Sequence, residues 1–127
     1  MKNQNLIFLI FTLIVFNSFG QKKELKAVEK ALKTNNFVSA KENIVAAEKY
    51  DLEDFDLKLK IKYHYLKGVS YYAEGESTLA DSYLALDNFK QVVLLEEDSS
   101  YKFYTDKVKP LKSAMLNGFV RKAKNAL

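Results

Sequence analysis

Apolar side chains return every three or four residues from Leu25 to Ala123, a spacing that gathers them on one side of a helix. Leu25, Val28 and Leu32 do so within KKELKAVEKALKT (22–34), a run of strong helix formers. Asn35-Asn36 is a turn signal. Phe37, Ala40, Ile44 and Ala47 then resume the pattern in FVSAKENIVAAEKY. Two short helices with so brief a break must fold back antiparallel to bury their stripes, which predicts a hairpin over about 22–50. Glycine and proline together are only 5 of the 127 residues, too few for a turn-rich sandwich or barrel.

A second hairpin is expected over about 57–96. DLEDFD (51–56) is an acidic connector whose carboxylates suit the positive end of the next helix. LKLKIKYHY (57–65) alternates apolar and polar residues, as a strand does, but no second alternating run exists to pair with it. A helix with Leu57, Ile61, Tyr65, Gly68 and Tyr72 on one stripe is therefore expected. Ser77 or Thr78 is placed to cap the following helix, with Leu79, Tyr83, Leu86 and Val93 as its stripe, widened by Ala85, Phe89 and Val92. A final helix over about 105–126 carries Val108, Leu111, Met115, Phe119 and Ala123. Pro110 requires it to start near Lys107 or to bend there. The fold class expected is all-α, built of antiparallel helical hairpins.

The first twenty residues read as an address. Lys2 is followed by an apolar run from Leu6 to Phe16, LIFLIFTLIVF. A spanning helix needs about 20 such residues, so this run fits a secretory signal better than an anchor or a core helix. Small residues at Ser18 and Gly20 place the cut after Gly20, which predicts a signal peptide over 1–20 and a periplasmic or secreted domain over 21–127. Cysteine is absent, which removes disulfides, thiolate metal sites, a thiol nucleophile and a thioether lipid anchor.

The segment YHYLKGVSYYAEG (63–75) resembles the first helix of a tetratricopeptide repeat, with a small residue at Gly68, an aromatic at Tyr71 and a turn glycine at Gly75. YLALDNFKQVVLL (83–95) resembles the second helix, with Ala85 and Phe89 at its small and aromatic positions. Gly68 lets the helices approach, Ala85 packs into the gap, and Tyr71 and Phe89 fill the space around them. Phe37, Ala40, Ile44 and Ala47 repeat the second-helix pattern more weakly. The family period is about 34 residues, whereas Ala40 and Ala85 are 45 apart and Val92 stands where alanine is usual. The repeats are thus degenerate over 21–97, and the last helix resembles a cap. The chain is similar to exported tetratricopeptide-repeat proteins of Gram-negative bacteria. That resemblance implies an α-solenoid whose first helices line a concave groove, and it makes Tyr63, His64 and Lys67 candidate partner-binding residues. Two hairpins are few for such a fold, leaving self-association or descent from a longer solenoid open.

Catalytic chemistry finds little support in the sequence. His64 is the single histidine, with no metal ligand at helical spacing from it. The acidic clusters at 53–56 and 96–98 lack the alternating ligands and central glycine of a calcium loop and read as solvated caps. No phosphate loop or nucleophile elbow is present. No cofactor, metal or enzymatic activity is expected. Charge is uneven: residues 101–127 hold seven basic side chains and one acid, while 21–100 sum to −3. Export makes nucleic acid an improbable partner. The expected function is binding of a partner polypeptide in the groove. The rival is contact of Lys107, Arg121 and Lys124 with anionic lipid or polymer, which salt should weaken sharply.

Overall fold

The structure, a computed structural model, describes residues 19–73, 77–100 and 102–127. The apolar run of the expected signal peptide and the turn glycine at 75 lie outside the described residues. Within them the chain is all-helical, without a strand. Helix α1 covers 19–33, taking in the last two residues of the expected signal. It is followed by α2 (Phe37–Ala47), a 3₁₀ turn (Leu52–Asp54), α3 (Leu57–Tyr71), α4 (Leu79–Glu97) and α5 (Phe103–Asn125).

Short polar side chains set these boundaries. Asn35 closes α1 at φ 53°, the left-handed conformation that asparagine tolerates. The Asn36 N–H then reaches back to Ala31 O at 2.9 Å, and its side chain accepts from Ser39 N to open α2. Asp51 caps the 3₁₀ turn and Asp56 caps α3 by accepting from Leu59 N at 2.8 Å. Thr78 takes the cap of α4 through Asp81 N. The acidic connector therefore serves two separate caps.

Helix α3 is the centre of the molecule. A step of two residues turns a helix by about 200°, so its alternating sequence sends apolar groups to opposite flanks. Leu59, Tyr63 and Leu66 join α1 and α2 in one core cluster with Leu25, Val28 and Ile44. Ile61 joins α4 and α5 in a second cluster with Ala85, Phe89, Val92, Val108 and Met115. A single stripe describes α3 incompletely, and its expected first member, Leu57, is half exposed.

Another expectation is corrected, and the last helix starts two residues before its expected range. On α4 the expected stripe is displaced: Leu79 and Tyr83 are exposed, while Ser82, Ala85, Phe89 and Val92 form the buried face. The helix lies between α3 and α5, and the small and aromatic set fits that space. Helix α5 begins at Phe103, so Pro110 sits in its interior on an exposed position. A buried carboxylate supplies the early start. Glu96, expected among solvated caps, is fully buried and accepts from Tyr104 N at 2.9 Å and Thr105 N at 2.7 Å.

Gly68 lies where α3 meets α4. A Cβ placed there would stand 2.6 Å from Phe89 Cδ1 and closer still to Cε1. The space is thus taken by the Phe89 ring, where Ala85 had been expected to fill it. Tyr71 is half-buried between the two clusters, with Lys41 Nζ 5.1 Å from its ring centre.

Candidate functional site

The four flanks of α3 differ in chemistry. Toward α2, Tyr63 donates its hydroxyl proton to Glu48 Oε1 at 2.7 Å, and Lys67 pairs with the same carboxylate oxygen. Burial, reinforced by the Glu48 carboxylate, pushes the Tyr63 phenol well above its ordinary value. Burial also pulls the Glu48 carboxyl upward, but hydrogen bonds from Lys67 and Tyr63 outweigh it and hold the group below its usual range. The arrangement is a closed clasp between α2 and α3.

Toward α4, His64 Nδ1 lies 2.8 Å from Asn88 Oδ1. The Asn88 amide nitrogen already donates to Leu84 O at 2.9 Å, so Oδ1 is its free acceptor and the imidazole Nδ1–H donates. Burial, with the charges of Lys67 and Lys60, lowers the His64 pKa against the opposing effect of the Asn88 bond. The unfolded chain therefore takes up the proton first as pH falls. Stability is whole above the ordinary histidine value of about 6.5 and declines as pH drops below it toward the folded value. Thermal melts between about pH 7.5 and 5.5 should show that decline, and His64→Asn should flatten it, since no other side chain normally titrates there. A slope unchanged by His64→Asn would assign the effect elsewhere.

The three groove candidates are thus placed on the α2 and α4 flanks. Tyr63 is only 6% exposed and offers a partner almost no surface. The back of the molecule between α2 and α4 is bridged by Lys41 and Asp81 at 2.8 Å.

The front flank of α3, between α1 and α5, is open. Lys58, Lys62, Tyr65 and Val69 fall on it at intervals of four, three and four. Lys62 pairs with Glu29 of α1 at 3.1 Å. Tyr65 meets Tyr104 of α5 with ring centres 4.8 Å apart. A cleft of about 310 Å³ lies here, bounded by Lys22 of α1, Asp56, Lys58, Ile61 and Lys62 at the start of α3, and Tyr104 of α5. Lys107 Nζ stands 3.9 Å from the Phe103 ring centre, 5.7 Å from Tyr104 and 5.9 Å from Tyr65. Burial raises the Tyr65 pKa, so its hydroxyl remains a donor at neutral pH.

Inside LKLKIKYHY the front residues Lys58, Lys62 and Tyr65 stand four and three apart, a spacing masked by the strand-like alternation. Arg121 and Lys124 are exposed on the last turns of α5. A second cleft, of about 350 Å³, has Tyr72, just past α3, and Met115, Phe119 and Arg121 of α5 in its walls. Among the described residues no helix is long and apolar enough to cross a membrane, and no three His, Cys, Asp or Glu side chains converge as a metal site. No protein-family model matches this chain, and no curated protein or solved structure matches it either.

Proposed function

We propose that this chain is an exported, non-catalytic interaction module of tetratricopeptide-like architecture, which holds a segment of a partner polypeptide against α1, α3 and α5. The single observation that carries the reading is the open front of α3. Its back is bridged by Lys41–Asp81 and its sides are sealed by apolar clusters, yet the front keeps a cleft walled by Lys22, Lys58, Lys62 and Tyr104, with Tyr65 packed beside Tyr104. Tyrosine combines an apolar ring with a polar tip and so serves a surface that exchanges water for a partner. The order of helix pairs and the close approach at Gly68 support the solenoid-like reading.

Random-peptide display against the purified protein tests this. Peptides should be enriched, and their binding should be lost in Tyr65→Ala and weakened in the exposed variant Lys58→Ala. Absence of enrichment, or binding indifferent to both substitutions, overturns the reading.

One observation favours a second reading. Leu116 and Val120 are about half exposed beside Arg121, Lys122 and Lys124, the mixture found on helices that lie on anionic membranes. In that case the protein should co-sediment with phosphatidylglycerol vesicles, and Arg121→Glu with Lys124→Glu should abolish it.

A further inference from the structure

We infer that the segment held in the front cleft is acidic: an extended stretch of carboxylate side chains, interleaved with apolar ones, that pairs with Lys22, Lys58 and Lys107 while its apolar groups lie on Tyr65 and Tyr104. The inference rests on the interaction reading above and gives the partner its chemistry.

Charge complementarity selects this occupant. Lys22, Lys58 and Lys62 edge the cleft, and Lys107 stands beside it on α5. The two carboxylates nearby are already engaged, Asp56 as the cap of α3 through Leu59 N and Glu29 in the pair with Lys62. The front therefore carries net positive charge with its acids occupied. Lys107 is the sharpest case. Its ammonium is surrounded by the rings of Phe103, Tyr104 and Tyr65, and it forms no ion pair among the described residues. Ring faces hold a cation in place without neutralising it. A carboxylate arriving there meets a charge already placed beside the rings, so both kinds of contact form at one spot. The same rings offer flat apolar area to the residues between the acids. A basic partner would meet like charge at several points, and an uncharged one would leave Lys107 without an ion pair.

The probes are three labelled peptides of one length: Glu alternating with Tyr and Leu, the same peptide with Gln for Glu, and the same with Lys for Glu. Fluorescence anisotropy with the purified protein should show the Glu peptide binding roughly tenfold or more tightly than the Gln peptide, with affinity falling as salt rises. Lys107→Glu and Lys58→Glu should each weaken it by roughly tenfold, because an ion pair becomes a repulsion. Lys90→Glu, on exposed α4 surface beside Asp87, should leave it unchanged. Both active variants change exposed side chains, and a circular dichroism melt confirms that each folds.

Equal binding of the Glu and Gln peptides, lost in Tyr65→Ala, would overturn the acidic assignment and leave the groove reading standing. Failure of all three peptides would overturn the groove reading itself. Binding to phosphatidylglycerol vesicles that Lys58→Glu and Lys107→Glu abolish, with no peptide bound, would assign the front to a lipid surface instead.

Discussion

Gly68→Ala should lower the melting temperature by roughly 5–15 °C, while Gly118→Ala should raise it by a few degrees. The substitution is the same, and both glycines lie inside α-helices. Replacing a helical glycine with alanine gains about 1 kcal/mol of propensity. At Gly118 nothing lies within 4 Å of the added methyl, so the gain is kept. At Gly68 the methyl collides with the Phe89 ring, with 2.6 Å to Cδ1 and less to Cε1. That ring is fully buried among Ala85, Val92, Val108 and Met115 and has no free space to enter. Overpacking costs about 1–3 kcal/mol, occasionally more, and contacts this short to a buried ring put Gly68 at the upper end, above the propensity gain.

The partner in the clash can be identified by a double-mutant cycle. Phe89→Leu removes the outer ring atoms and costs stability by itself, since a cavity is left. In that background Gly68→Ala should become neutral or stabilising, because the atoms it struck are gone. If the alanine costs the same with leucine at 89, the Phe89 contact is not the reason for the glycine. Denaturant melts of the four proteins and of Gly118→Ala give the whole comparison.

How much of this was readable beforehand varied with the kind of residue. Caps at Asn36, Asp56 and Thr78 are local, each satisfied within three residues of itself, and the sequence marks them as a turn signal, an acidic connector and a cap candidate. The helical character of 57–71 also followed, by elimination of a pairing strand. Its two-sidedness did not, because a central helix is defined by neighbours far along the chain. The α4 stripe is displaced for the same reason: Leu79 and Tyr83 are exposed, while Ala85, Phe89 and Val92 face the neighbours, Phe89 at Gly68 of α3. Tyr63, His64 and Lys67 follow from the resemblance, which puts first helices on a groove, and only three-dimensional placement reveals Glu48 and Asn88 as their partners. The front-face lysines Lys58 and Lys62 share helical spacing, but that spacing alone does not set them apart. Lysine at helical spacing usually marks a solvated surface, and what distinguishes Lys58 and Lys107 is the cleft and the rings beside them.

Glu96 is the residue whose meaning changed most, and its removal carries the second large effect. Glu96→Ala should destabilise the protein by about 2–4 kcal/mol, a drop of roughly 10–20 °C in melting temperature for a domain of this size. Helix α5 has no side-chain cap of its own at Lys102, so its first amides depend on a neighbour. Glu96 provides both oxygens, one to Tyr104 N and one to Thr105 N, and does so fully buried. Burying a carboxylate is costly unless it is hydrogen-bonded, and here the bonds come from the positive end of a helix. Alanine leaves two amides without acceptors in a site poorly reached by water. Glu96→Gln separates charge from shape. Glutamine keeps the length and one acceptor oxygen, but its amide N–H₂ would face the second backbone N–H donor to donor. It should therefore cost more than half as much as alanine. Thr105→Val is the control, because the Thr105 hydroxyl is buried without a hydrogen-bond partner and its loss should be nearly neutral. Amide hydrogen exchange at Tyr104 and Thr105 gives a local check, with both amides exchanging much faster in the two Glu96 variants. A glutamine variant as stable as the native chain, with those amides still protected, would mean that packing rather than the carboxylate fixes the start of α5.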